Sequence, residues 1–284
     1  MRNFTFKGLF LAVVFMVLGS LSIQAADDGL ITKQITVKLE KAGTLRDKIG
    51  STKRDKITNL KIIGEINGSD WSVIRYMAGR DYYGSESDGK LAILDLSETK
   101  IVSGGGRYLY DDYYIDYFYT HDNELGSRAF YNCSGLTSLS LPSGITSIGW
   151  EAFSGCSGLT SLSFPSGITS IGGYAFSGCS GLTSIYVYAE KLPNMESDVF
   201  DGCDAKKCTV YVPKGTYDDY WLSEFGYFEN IVEFDPTGIN NVITSNDTKE
   251  LSRYSLNGQR LSAPTKGLNI VKYSDGSVKK VVVQ

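Results

Sequence analysis

From residue 126 to residue 195 the apolar positions return on a fixed beat. Aligned on cysteine, residues 126–148 and 149–171 are two copies of 23 residues, and 172–195 is a third with one residue more. Each copy carries the pattern L-x-x-L-x-L: Leu136, Leu139, Leu141; Leu159, Leu162, Phe164; Leu182, Ile185, Val187. The last two of each trio are two apart, as one face of a strand requires. Ile145, Ile148, Ala152, Phe153 and Cys156 add further apolar positions to the middle copy, and Phe130, Phe153 and Phe176 recur three residues before each cysteine. Self-similarity at this period predicts a solenoid, here a right-handed superhelix with a parallel β-sheet and short irregular or helical connections. A single turn buries too few side chains to offset the ordering of its backbone, so the turns must stack.

The same template is loosely kept upstream at Ile57, Leu60, Ile62 and at Leu91, Leu94, Leu96. Between them "SDWSVIRYMAG" predicts a helix with Asp70 as N-cap, Trp71, Ile74 and Met77 or Ala78 on its buried face, and Gly79 as stop. "ELGSRAF" matches "SIGWEAF" and "SIGGYAF", which marks the stretch from about 104 to 124 as an insertion within a turn. Downstream, "DVFDGCDAKKCTVYVP" keeps Phe-x-x-Cys with altered spacing. Residues 214–235, opening at Thr216, are expected to form a helical cap over the open core. Beyond Pro236 a linker leads to short strands around Asn257-Gly258 and Asp275-Gly276, the chemistry of two-residue hairpin turns. The expected organisation is therefore a signal peptide over 1–25, a capped solenoid over 26–235, and a linker with a small antiparallel β-module over 236–284.

Composition adds where the chain works. Arg2 and Lys7, an apolar stretch from Leu9 to Leu18 and the small residues of "SIQAAD" follow the plan of a secretory signal peptide. No later apolar run is long enough to span a bilayer, so no transmembrane segment is expected. The chain has 284 residues and a formal charge of −4, and loss of Arg2 and Lys7 makes it more acidic still. Nothing in that balance attracts nucleic acid or an anionic membrane.

Copies of "AFsgCsgLtsLsLPsgitsIG" resemble the BspA-like, or type 5, leucine-rich repeat family of secreted and surface Bacteroidetes proteins. The resemblance is carried by residues 125–235 and more loosely by about 30–124. The chain departs from the better-known repeat consensus in having Gly144 and Gly167 where a buried asparagine would follow the strand. The resemblance implies adhesion or binding of proteins on host or neighbouring cells, at the cell surface, outside it or in the periplasm, with no catalysis and no cofactor. The order "YSLNGQRL…KGLNIV…KKVVV" resembles the C-terminal sorting domains of type IX secretion.

Candidate chemistry is sparse. Cys133, Cys156 and Cys179 point the same way on a ladder and cannot all pair, so they are expected to be small core residues beside Leu136, Leu139, Leu159, Leu162, Leu182 and Ile185. A metal site would need clustered ligands, and there is no Cys-x-x-Cys and one histidine. Cys203 and Cys208 break the period, and an exported chain meets oxidising conditions, so a disulfide between them is a candidate. His121 and the trio Asp111, Asp112, Asp116 lack the surroundings of a nucleophile or of a calcium loop. The insertion is the candidate binding element: Tyr108, Tyr110, Tyr113, Tyr114, Tyr117 and Tyr119 suit a protein interface or the stacking of sugar rings. Alternatively those rings pack back on the solenoid. Tyr186 stands on the outer strand face among serines. A protein ligand is the first expectation, a glycan the second, and the protein itself is expected to be a monomer.

Overall fold

The computed structural model describes residues 29–111, 116–236, 250–255, 260–261, 263–273 and 278–283. The signal-like segment lies outside them. In chain order the first part comprises β1 (Ile35–Leu39), α1 (Leu45–Ile49), α2 (Ser51–Arg54), β2 (Asn59–Ile66), α3 (Gly68–Met77) and β3 (Ile93–Ile101). A hairpin of β4 (Arg107–Asp111) and β5 (Asp116–Tyr119) follows. The repeats supply β6 (Glu124–Leu125), β7 (Ser138–Ser140), β8 (Ser147–Ile148), β9 (Ser161–Phe164), β10 (Ser170–Ile171), β11 (Ser184–Val187), β12 (Asn194–Met195) and β13 (Thr209–Pro213). A short helix α4 (Tyr217–Trp221), a 3₁₀ turn (Glu224–Tyr227) and β14 (Asn230–Phe234) end the solenoid.

One long sheet runs β1-β2-β3-β7-β9-β11-β13-β14, parallel throughout, and a second runs β6-β8-β10-β12. Partners such as Ser161↔Ser184 and Ser147↔Ser170 are one repeat apart, so the turns that begin at β3, β7, β9 and β11 each give one strand to each sheet, while β1, β2, β13 and β14 extend the long sheet alone. This is a leucine-rich repeat solenoid.

The corner that joins the two strands of a turn holds the stack together. Arg128, Phe130 and Asn132 N–H donate to the carbonyls of Trp150, Ala152 and Ser154 in the next turn, at 2.9, 2.7 and 2.7 Å. Glu151, Phe153 and Gly155 repeat this to Gly173, Ala175 and Ser177. Arg128, Glu151, Tyr174 and Asp198 occupy the left-handed region, with φ of 55°, 51°, 55° and 59°, which costs non-glycine residues conformational energy that the ladder must outweigh. Gly172 is glycine for a different reason: a Cβ there would meet Trp150 N of the preceding turn at 2.6 Å.

Inside this corner the phenylalanines form a column. Phe130, Phe153, Phe176 and Phe200 stack at 5.3, 5.0 and 5.7 Å with planes within 18° of parallel. Trp71 closes one end at 5.5 Å, and Phe225 and Phe228 close the other at 5.1 and 4.9 Å. Leu136, Leu139, Leu159, Leu162, Leu182 and Ile185 are buried along the neighbouring wall.

The cysteines depart from the filler role in one respect. Cys156, Cys179 and Cys203 Sγ donate to the carbonyls of Phe130, Phe153 and Phe176 at 3.1, 3.2 and 3.3 Å, so the thiols form a hydrogen-bonded ladder of their own. Cys203 therefore does not break the period. The extra residue of the third copy is absorbed between corners, and Phe200 with Cys203 keeps the Phe-x-x-Cys geometry. Cys203 and Cys208 are separate thiols here, not a disulfide. Burial pushes the thiol of Cys133 up to about 11 and those of Cys203 and Cys208 up to about 12.

Both caps differ from expectation. Helix α3 starts earlier than Asp70: Asn67 is the N-cap, accepting from Ser69 N at 3.1 Å, while Asp70 accepts from Asn67 N at 3.0 Å. Asp70 also accepts from Gly43 N and Leu45 N, at 2.6 and 2.9 Å, and so fastens the start of α1 to α3. At the far end the helix is only five residues long, and Tyr217 N at its start, with Gly215 N just before it, donates to the carboxylate of Glu233 rather than to the side chain of Thr216. The chain then returns as an eighth strand, which the aromatic spacing of this segment did not reveal.

The C-terminal module is an antiparallel sheet of β15 (Glu250–Ser255), β16 (Arg260–Leu261), β17 (Gly267–Tyr273) and β18 (Val278–Val283), ordered β16-β15-β17-β18. Arg253 is buried, held by both oxygens of Glu250 and by Asn269 Oδ1. The turn residues Asn257, Gly258, Asp275 and Gly276 lie outside the described residues.

These thiols make a countable prediction. Unreduced protein unfolded in guanidinium should titrate five thiols with Ellman's reagent, and native protein essentially none at pH 8. A count of three after unfolding would show that Cys203 and Cys208 are oxidised to each other.

Candidate binding surface

The first repeat has no preceding corner, so its carbonyls need other donors. Side chains supply them. Tyr108 OH donates to Ser127 O at 2.5 Å, Trp71 Nε1 to Ala129 O at 3.3 Å, and Arg75 Nη1 to Arg128 O and Ala129 O at 2.5 and 3.0 Å. Arg80 Nε reaches Asn132 O at 2.9 Å. Arg75 is fully buried, and its Nε and Nη2 have no hydrogen-bond partner. Burial lowers its pKa, which neighbouring Cys133 and Tyr108 oppose only in part. No pattern in the sequence distinguished Arg75 from a surface cation.

This arrangement corrects the expectation for Tyr108. It is 1% exposed, burial raises its phenol pKa well above normal, and it cannot meet a ligand. The insertion otherwise forms the β4–β5 hairpin, with Tyr110 opposite Tyr117 in backbone register. Three glycines, Gly104 to Gly106, all with positive φ, lead into it along the start of α3, where Gly68 N and Ser69 Oγ bind the carbonyls of Gly104 and Gly105. Asp122 closes the base through Ser103 N and Oγ, at 2.6 and 2.9 Å, and these bonds hold its pKa below the usual carboxylate range. Tyr110 is half-buried, edge-on to Tyr83 at 6.2 Å, and Tyr83 and Tyr119 are exposed. The exposed Tyr83 was missed because it stands outside the tyrosine-rich run. Tyr113 and Tyr114, and the side chain of Tyr117, lie outside the described residues.

The outer face of the long sheet is the other candidate, and it changes character along its length. One row runs Thr36, Lys61, Asp95 and Ser140, and is continued by Ser163, Tyr186, Tyr211 and Val232. At one end Lys61 Nζ bridges Asp95 and Glu98 at 3.0 and 2.7 Å, which raises the lysine pKa. Burial works to raise the pKa of Asp95, but its bonds from Ser97 and Lys61 more than reverse this. The middle is hydroxyl: Ser138, Ser161 and Ser184 share a row, with Ser184 Oγ bonded to Ser161 Oγ at 2.9 Å. Thr137, Thr160 and Thr183 run beside it, each bonded to the carbonyl one turn back. At the other end Tyr186 and Tyr211 stack at 4.5 Å with planes 6° apart, and Phe234 stands edge-on to Tyr186 and Tyr188 at 6.2 and 5.4 Å. One face of the Tyr186 ring is covered by Tyr211, and across its other face the row continues to small Ser163.

Among the described residues no group of His, Cys, Asp and Glu is placed to hold a metal ion, and His121 is an exposed loop residue. No helix among them is long and apolar enough to cross a membrane. What the fold defines is a leucine-rich repeat protein that presents a long, nearly uncharged strand face bounded by ionic and aromatic ends. Residues 115–220 match the family model described as BspA type leucine rich repeat region, in 6 copies. Among solved structures the chain is similar to a leucine-rich repeat protein from Bacteroides ovatus ATCC 8483, at 22% identity and a TM-score of 0.38, over 63% of this chain and 43% of that one. The chain thus spans less than half the length of that relative. No curated protein matches the sequence.

A buried cap and a ligand contact respond differently to one atom. Tyr108→Phe leaves the Ser127 carbonyl without its donor and should cost about 1–3 kcal/mol, read as a lowered midpoint in thermal or urea unfolding. An unchanged midpoint would mean that the hydroxyl does not cap the first repeat.

Proposed function

We propose that this is an exported, non-catalytic protein that binds protein ligands at the bacterial cell surface, with the outer face of the long sheet as its binding surface. The observation that carries this reading is the change from the serine rows to the Tyr186–Tyr211 stack. A flat, regular face supplies area without selectivity. An aromatic wall rising beside small hydroxyls supplies an anchor, since tyrosine contributes large contact area and a polar tip at low entropic cost. Burial raises the Tyr186 phenol pKa, so at physiological pH it is a neutral donor and acceptor. The resemblance of "YSLNGQRL…KGLNIV…KKVVV", within residues 254–283, to a sorting tail and the leader-like start of the chain support export, with residues 236–284 acting as the sorting module.

The second reading is a glycan-binding accessory protein, favoured by exposed Tyr83 and Tyr119 on and beside the insertion. A panel of purified extracellular proteins and immobilised glycans separates the two. The protein reading predicts capture of at least one protein, weakened more than tenfold by Tyr186→Ala with Tyr211→Ala and unaffected by Tyr119→Ala. Glycan capture lost on Tyr83→Ala or Tyr119→Ala, with no protein captured, would overturn it. Protease added to intact cells should cleave the chain if it stands on the surface and spare it in the periplasm.

A further inference from the structure

The first and last segments of the solenoid carry net charges of opposite sign, while residues 59–128 are mixed, with twelve Asp and Glu against seven Lys and Arg. Residues 29–58 carry eight Lys and Arg against three Asp and Glu. Lys33, Lys38, Lys41, Arg46, Lys48, Lys53 and Lys56 of this group are exposed. Residues 198–235 carry nine Asp and Glu against three Lys, with Asp198, Asp201, Asp204, Asp218, Asp219 and Glu229 exposed. Between them, residues 129–189 hold a single charged side chain, Glu151. Charged end caps keep a repeat array soluble, and like charges at both ends would do so while also holding copies apart. Opposite charges draw one end toward the other.

Two further features sit on these ends. Strands β1 and β14 are the edges of one parallel sheet, each paired on one side only. Because Lys214 N binds Phe234 O, the alternate backbone groups of Ile231 and Glu233 face away from the sheet. The acidic end also carries apolar side chains that a purely solubilising cap has no use for. Leu222 is 84% exposed, and Tyr217 stacks on Trp221 at 6.1 Å with both rings in solvent.

We propose that the occupant of the acidic end is a second copy of this chain, docked by its basic end, so that copies associate head to tail with β14 of one beside β1 of the next. The contact is heterologous, so it leaves a free end of each sign and allows the assembly to grow. It is held chiefly by charge and is reversible, and the monomer expected from the sequence is its state in dilute, high-salt solution.

Sedimentation of the full mature chain over a concentration series tests this. At low ionic strength, ~20 mM salt, the weight-average mass should rise to about twice the single-chain value or more, and at ~500 mM it should return to one chain. A variant with the basic end reversed (Lys38→Glu, Lys41→Glu, Lys48→Glu) and one with the acidic end reversed (Asp201→Lys, Asp219→Lys, Glu229→Lys) should each remain monomeric. Mixed in equal amounts they should associate again, since acidic ends then meet basic ones. Circular dichroism checks that both variants are folded. A wild-type protein that stays monomeric at low salt would overturn the proposal. So would association that survives reversal of the basic end, which would point instead to the basic segment 250–283, or a mixture that fails to associate.

Discussion

Everything in this molecule rests on the hydrogen-bonded corner between turns. Three N–H groups of one turn meet three carbonyls of the next, and this fixes the register of the turns, stacks the phenylalanines and brings the thiols of Cys156, Cys179 and Cys203 beneath the preceding phenylalanine carbonyls. The corner demands a left-handed residue in every turn, filled here by Arg128, Glu151, Tyr174 and Asp198. Side chains so different at one strained position show that the backbone ladder, not the residue, sets the conformation. The two sheets follow from it, because a turn held at its corner can place its strands only beside those of its neighbours.

A ladder has two ends, and the ends explain the residues that fit the repeat least well. At the first corner Tyr108, Trp71 and Arg75 offer side-chain donors where a preceding turn would offer backbone. The insertion is thus anchored by the hydroxyl of its first tyrosine, and only what projects beyond that anchor is exposed. At the last corner Phe225 and Phe228 close the column while β14 extends the sheet, leaving the apolar rim of Leu222, Trp221 and Tyr217 in an acidic surround. The nearly uncharged repeats of residues 129–189 and the oppositely charged end segments therefore divide the labour: a flat face along the strands, and end surfaces of opposite sign.

How much of this could be read in the sequence follows the same division. Whatever recurs was legible. Leu136, Leu159 and Leu182, or Phe130, Phe153 and Phe176, announce a shared environment because the chain states it three times. The thiol ladder was half legible: the recurrence of Cys133, Cys156 and Cys179 placed them inside, but nothing in a residue list shows that a sulfur reaches a carbonyl one turn back, and a spacing of 24 made Cys203 look out of register. Whatever happens once was not legible. Arg75 and Tyr108 act through contacts more than fifty and about twenty residues away along the chain, to carbonyls that any residue would carry. Asp70 suits an N-cap as well as Asn67 does, and only the fold shows that the helix begins three residues earlier. Eighth-strand status for residues 230–234 depends on the sheet they join.

If the corner is the unit of construction, a whole turn should be removable and part of one should not. Deleting residues 149–171 joins Ile148 to Gly172 just as Ile171 joins it now, and brings Phe176 under Phe130. Urea unfolding of the shortened chain, followed by circular dichroism, should show one cooperative transition with the native β signal and a modestly lower midpoint, whereas deleting residues 149–159 alone should abolish the transition. Loss of cooperative folding on removal of the full turn, or equal tolerance of both deletions, would contradict the account.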